Sequence, residues 1–222
     1  MNEFIDIFSG TELETVSSAV QLLILLTIFS LAPGILILLT SFTRTIIVLS
    51  FTRTSLATQQ MPPNQVLVGI ALFITFFVMA PTFQEINQEA LTPLMNEEIG
   101  LEEAYDRASA PIKHFMSKHT RQKDLQLFLN YTNTEDIETI EDIPLTALVP
   151  AFAISEIKTA FTMGFLIFIP FLVVDMTVAS ILMSMGMMML PPVMISLPFK
   201  ILLFVLVDGW HLIIESLLSS FH

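Results

Sequence analysis

The sequence contains no cysteine in 222 residues, so disulfide frameworks, thiolate zinc sites, iron–sulfur clusters and cysteine nucleophiles are all excluded. Basic residues are scarce as well. Nine Lys and Arg stand against 21 Asp and Glu, a net charge of −12, the wrong sign for a chain that neutralises phosphates, so nucleic acid is not an expected partner. Charge of either sign makes up only 14% of the chain against 54% hydrophobic residues, whereas soluble domains carry about 25% charged residues. With a mean hydropathy of +0.75, this is the composition of an integral membrane protein. Enzyme signatures are missing too: there is no P-loop, no G-x-S-x-G and no H-E-x-x-H. His114, His119, His211 and His222 form no convincing ligand set, and His114 with His119, beside Lys113 and Lys118, reads as a solvated helix face. No catalysis, metal or cofactor is expected.

The positions of the few charges organise the chain. None occurs from Thr15 to Thr43 or from Thr54 to Gln84, and beyond Ile143 only Glu156, Lys158, Asp175, Lys200, Asp208 and Glu215 stand alone. A membrane span needs about 20 apolar residues at a rise of about 1.5 Å each, and four stretches meet this, near 16–42, 46–80, 155–184 and 190–218. Between the second and third, residues 82–149 hold 13 of the 21 acids and five of the nine basic residues. Apolar spacing there (Leu101, Ala104, Tyr105, Ala108, then Ile112, Phe115, Met116, later Leu125, Phe128, Leu129) predicts short amphipathic helices, cut by Pro93 and Pro111, with an acidic loop from Asn130 to Asp142.

The expected fold is therefore all-α. It comprises an acidic N-terminus (1–15), a first hydrophobic helical pair (16–81), a small extracytoplasmic helical insertion (82–149) and a second hairpin (150–222). Arg44 and Arg53, between the first two spans, place that connection in the cytoplasm and the insertion outside. The N-terminus is acidic where a secretory signal is basic, so the first stretch is expected to be retained, although Val16–Ser30 could pass for a signal's apolar region.

Pro33-Gly34, Pro62-Pro63, Pro170 and Pro198 each fall within a hydrophobic stretch. Breaks there would free backbone groups that only neighbouring helices or a cavity can satisfy, which favours assembly over isolated rods. Arg44 and Arg53 sit in a short repeat, Ser-Phe-Thr-Arg-Thr, whose two copies are nine residues apart. Nine helical steps amount to a net turn of about 180°, so the two project from opposite faces; they are either cytoplasmic anchors or contacts to two different surfaces. In a hairpin turning near residue 187, Asp175 lies level with Lys200 and Lys158 with Glu215. Glu156 and Asp208 find no cation within the hairpin and are the better candidates for contacts to another subunit. At the turn, Met183, Met185, Met187, Met188 and Met189 precede Leu190-Pro191-Pro192. Methionine is flexible and polarizable, suited to a deformable seal; apolar filler at a turn and soft Cu(I) ligands are the competing readings.

Three runs carry a family resemblance: Thr58-Gln59-Gln60-Met61-Pro62-Pro63-Asn64-Gln65-Val66, then Pro150-Ala151-Phe152 with Ser155-Glu156-Ile157-Lys158-Thr159-Ala160-Phe161, and Ser184 through Lys200. With Leu206-Val207-Asp208-Gly209-Trp210, they closely resemble the FliP family of flagellar type III export gates, densely over about 35–85 and 148–212. The resemblance implies a ring or helical homo-oligomer of about five copies joined by FliQ, FliR, FlhB and FlhA. This complex passes unfolded flagellar proteins across the bacterial inner membrane at the basal body. Much of the helical cone would be raised above the bilayer. The resemblance further implies that Met187, Met188 and Met189 form a gasket around the translocating chain, and that Glu156, Lys158, Asp175, Lys200 and Asp208 pair within hairpins or between subunits. A virulence secretion gate is similar to the same blocks, and an ion-coupled carrier titrating Asp175 or Asp208 is the reading from a different class.

Overall fold

The computed structural model describes residues 13–58, 60–132, 139–140, 142–187 and 189–221. All regular structure among them is helical. The chain divides into two units, 1–38 and 39–222. The described part of the first is helix α1 (Leu13–Leu39), which contains Pro33 and no basic residue in its last turn. Its Thr27 hydroxyl donates to the Leu23 carbonyl at 2.8 Å, which satisfies a polar group inside an apolar helix without a partner helix.

The second unit opens with α2 (Phe42–Ser55) and α3 (Asn64–Ile86). Expected as one stretch over 46–80, these are two helices: α2 stops at Ser55, just before Ala57 turns left-handed at φ 57°, and Pro62-Pro63, which cannot donate to a preceding turn, keep the chain non-helical until α3 starts at Asn64. The other predicted interruptions do not break their helices: Pro33, Pro170 and Pro198 all lie inside continuous α-helix. A single proline removes one backbone bond; two adjacent ones remove consecutive bonds and fix consecutive dihedrals. After α3 a π-helical turn (Asn87–Leu91) and α4 (Thr92–Met95) extend one rod from Asn64 to Met95.

The acidic stretch then supplies α5 (Leu101–His119) and α6 (Gln122–Thr132). Glu102 and Glu103 at the start of α5 and Lys118 at its end complement the helix dipole. Pro111, expected to divide this segment, is buried within α5. Of the expected loop Asn130–Asp142, residues 133–138 and Glu141 lie outside the described residues, and α6 runs through Asn130 to Thr132.

Helix α7 (Leu145–Ser184) has 40 residues. At a rise of about 1.5 Å per residue it is about 60 Å long, roughly twice the hydrocarbon thickness of a bilayer, so one upright crossing uses only part of it. α8 (Pro192–Leu206) returns alongside it and continues, after a 63° bend, as α9 (Gly209–Ser219). Asp208 at the bend holds φ 50° and ψ 54°. The turn closing α7 has a local cause. Gly186 adopts φ 73°, its N–H reaches the Met183 carbonyl at 3.0 Å, and the Met187 N–H reaches the Leu182 carbonyl at 2.9 Å. This paired closure needs a left-handed residue. Gly186→Ala should therefore lower unfolding free energy by about 1 kcal/mol in detergent, read from denaturant or thermal unfolding.

Packing along α7 decides the architecture. Its face of Ala147, Ala151, Ser155, Ala160 and Gly164 is buried, and α2 presents Ser41, Thr45, Thr52 and Ser55, also buried. Small residues on both faces let the two backbones approach and leave room for the Phe51 ring and the Arg44–Glu156 pair. A Cβ on Gly164 would lie 2.5 Å from the Phe51 ring, inside contact distance. Nearer the start of α7, Met79, Phe115, Met116, Ile143, Leu148, Phe152 and Phe221 form a core that ties the acidic-stretch helices to α3 and to the chain's end.

Two helices, Asn64–Met95 and Leu145–Ser184, are long and apolar enough to cross a membrane, and two helix pairs that pass only jointly raise the number to four. Four spans had been expected at different limits: α7 begins ten residues before 155, and the last stretch is bent at Asp208.

Candidate functional site

Three buried or half-buried charge centres and one apolar apex occupy the second unit. Arg44 and Glu156 are 3% and 0% exposed, respectively, and form a bidentate ion pair: Arg44 Nε donates to Glu156 Oε2 at 2.9 Å, and Nη2 donates to Oε1. The remaining donor, Nη1, reaches the Ser220 carbonyl at 2.8 Å and its hydroxyl at 3.0 Å, while the guanidinium carbon lies 4.0 Å from the centre of the Phe221 ring. One guanidinium thus fastens α2, α7 and the C-terminal turn together. Glu156, expected to look toward another subunit, is fully used within its own chain, because its cation comes from α2 rather than from the hairpin.

Arg53 turns the other way. Its Nη1 donates to Asn64 Oδ1 at 2.5 Å and to the Pro62 carbonyl at 3.3 Å, while the Thr58 hydroxyl donates to the Met61 carbonyl at 2.7 Å. Arg53 and Thr58 brace the connection between α2 and α3. The two arginines do diverge, but both are engaged inside the chain rather than standing as bare anchors.

In the hairpin, Lys200 Nζ lies 2.6 Å from Asp175 Oδ2 and 3.1 Å from the Ser55 carbonyl, and Ser196 Oγ donates to Asp175 Oδ1 at 2.5 Å. Phe171 and Phe204, one turn further from the apex, face each other at 6.2 Å. The second expected pair is not formed. Lys158 faces Lys123, Arg121 and Asp124, and Glu215 has His211 at 4.0 Å. The bend at Asp208 ends the regular register before Glu215 is reached. Asp208 itself is exposed at that bend.

At the apex, Met183, Met185, Met187 and Met189 are 66%, 62%, 42% and 99% exposed; Met188 lies outside the described residues. These side chains project from the turn with little to pack on. No group of three or more His, Cys, Asp or Glu that could hold a metal occurs among the described residues.

His119, read as part of a solvated face, is instead packed. Its ring lies 4.9 Å from Phe115 and 5.4 Å from Phe221. Sequence reasoning missed this because Phe221 arrives from the far end of the chain. Burial, followed by the nearby positive charges of Arg44 and Lys118, pushes the His119 pKa down from 6.5 to about 4. The sign follows: the folded chain keeps this imidazole neutral while the unfolded chain protonates near its usual value. Stability is therefore lost as pH falls through 6.5 toward 4. His119→Phe should shrink that loss, measured as unfolding midpoint against pH for both proteins in one detergent.

Paired charges within apolar helices, a hairpin bearing an unpacked methionine turn, and two to four candidate spans define the class as a helical membrane protein. The sequence profile of the FliP family matches residues 25–217. The chain is 74% identical over 221 residues to the flagellar biosynthetic protein FliP of Bacillus subtilis (strain 168), covering 100% of both chains. It is 52% identical to that of Aquifex aeolicus (strain VF5), over 91% of this chain and 86% of the relative. With the protein of the same name from Pectobacterium carotovorum subsp. carotovorum the identity is 50%, over 92% and 79%. The chain belongs to the FliP family.

Proposed function

We propose that this protein is a core subunit of the flagellar protein export gate: about five copies, joined by FliQ, FliR, FlhB and FlhA, form the channel through which unfolded flagellar proteins cross the bacterial inner membrane at the basal body. The observation that carries this reading is the methionine apex. Met189 is 99% exposed on a turn between two apolar helices, a position that gains packing when several copies place their turns around an axis. Flexible thioethers there can close around chains of varying shape. The length of α7 fits helices raised partly above the bilayer. The energy for transport comes from partners, and the subunit itself carries out no catalytic step.

The test has two parts. Native mass spectrometry of the complex purified in mild detergent should give a discrete oligomer near five copies that grows by added partner subunits; a stable monomer or dimer would remove the reading. Replacing Met187, Met188 and Met189 with Ala should leave that oligomer intact and raise its ion conductance in planar bilayers several-fold, because shorter side chains leave a wider seal. Unchanged conductance in an assembled complex would count against the gasket.

A further inference from the structure

Lys158 is exposed on α7, a helix apolar enough to cross a membrane. The charges it faces are mostly its own sign, Lys123 and Arg121, with Asp124 as the nearby carboxylate. Asp124 is already committed: its Oδ2 accepts from the Ser155 hydroxyl at 2.7 Å and lies 3.0 Å from Arg121 Nη2. Arg121 Nε is buried without a hydrogen-bond partner. A chain of net charge −12 thus gathers three cations against one engaged carboxylate.

The complementary feature is on α9. Glu215 is 64% exposed, and its counter-group among the described residues is His211, itself 72% exposed and 4.0 Å away. Ile213 and Leu217 are the buried positions of this helix, so Glu215, two residues from each, projects away from the core. By the same geometry Lys158, two residues from buried Glu156 and Ala160, projects outward from α7.

The two groups share a level. Arg44 binds Glu156 and Ser220 together, which sets those positions at one height. From there toward the apex, Lys158 is two residues along α7, about 3 Å, and Glu215 is five residues back along α9, at most about 7.5 Å. The mismatch is within reach of two long side chains. A cluster with a surplus of cations and an exposed acid at one height, not paired with each other, are what a head-to-tail interface between identical copies can join.

We propose that Lys158, supported by Lys123, forms an ion pair with Glu215 of a second copy of this chain, fastening neighbouring copies together beside α6. This rests on the oligomeric reading above and adds the contact that sets copy against copy. In water such a pair is weak; enclosed between two copies it strengthens and also selects orientation.

Because the chain has no cysteine, Lys158→Cys and Glu215→Cys can be placed on two differently tagged copies and co-expressed with the export partners. A short bis-maleimide should join them into a dimer-sized product carrying both tags; a disulfide is not the probe, since a lysine–glutamate pair holds its backbones further apart than a disulfide tolerates. Lys158→Glu or Glu215→Lys alone should lower the assembled fraction about tenfold, and the double reversal should restore it. Absence of the mixed product in a complex shown by mass spectrometry to be assembled overturns the contact and leaves the oligomer standing. A wild-type chain that does not assemble overturns both. If Lys123→Gln with Lys158→Gln leaves assembly unchanged but strips co-purifying anionic phospholipid, the cluster binds headgroups and the proposal falls.

Discussion

Arg44→Met is expected to cost about 3–5 kcal/mol of unfolding free energy. The substitution keeps most of the side-chain volume and removes the charge. It leaves Glu156, 0% exposed, as a carboxylate with neither cation nor water, and it leaves the Ser220 carbonyl without the donor at 2.8 Å. Glu156→Gln removes the other charge but retains an acceptor for one guanidinium N–H, and Arg44 keeps its bonds to Ser220 and its seat on Phe221; its cost should be smaller. The double variant Arg44→Met with Glu156→Leu should be less damaging than Arg44→Met alone, since no buried charge remains uncompensated. Denaturant titration of the detergent-purified chain, followed by circular dichroism, reads all three. A loss below about 1 kcal/mol for Arg44→Met would mean that the pair does not hold these three segments together.

How much of this was legible in the sequence depends on how far apart the partners lie. The hairpin register could be read because α7 and α8 are joined by a short turn, and isolated charges in apolar helices have few partners to choose from. Arg44 and Glu156 are 112 residues apart; no local pattern links them, and Glu156 looked free for that reason. The error over Lys158 and Glu215 came from extending one register through Asp208, where an αL residue bends the path by 63°. Nothing in Leu-Val-Asp-Gly-Trp demands that bend except Gly209, where a Cβ would lie 2.3 Å from the Phe204 ring. The prolines misled in the opposite sense. Each was read as a break, and only the Pro62-Pro63 pair lies between helices, because apolar neighbours hold a helix together across one lost bond far more easily than across two. Periodicity did find α5 and α6 in the acidic stretch, where polar and apolar residues alternate at helical spacing. It placed His119 on the solvated side because Phe221, which covers it, comes from the turn after the last helix.

Lys200→Met should be the second most costly change, at about 3 kcal/mol, since it deprives Asp175 of its cation and the Ser55 carbonyl of its donor at 3.1 Å. Asp175→Asn should cost less: Asp175 is 25% exposed, and the amide oxygen can still accept from Lys200. Charge exchange separates a simple pair from the three-way contact seen here. If only Asp175 and Lys200 mattered, Lys200→Asp combined with Asp175→Lys would recover most of the loss. The structure argues otherwise. An aspartate at position 200 is too short to reach the Ser55 carbonyl and has no donor for it, and a lysine at position 175 would displace the hydroxyl that Ser196 now donates at 2.5 Å. Recovery should therefore stay below half of the single-variant loss, with a coupling energy of about 1–3 kcal/mol in the double-mutant cycle. Lys200→Arg should keep more stability than the exchange, because it preserves both the charge for Asp175 and donors for Ser55. Full recovery by the exchanged pair would show that the link from Lys200 to the end of α2 contributes nothing, and that the hairpin and α2 are held together by the Arg44–Glu156 pair and the small-residue packing around Gly164.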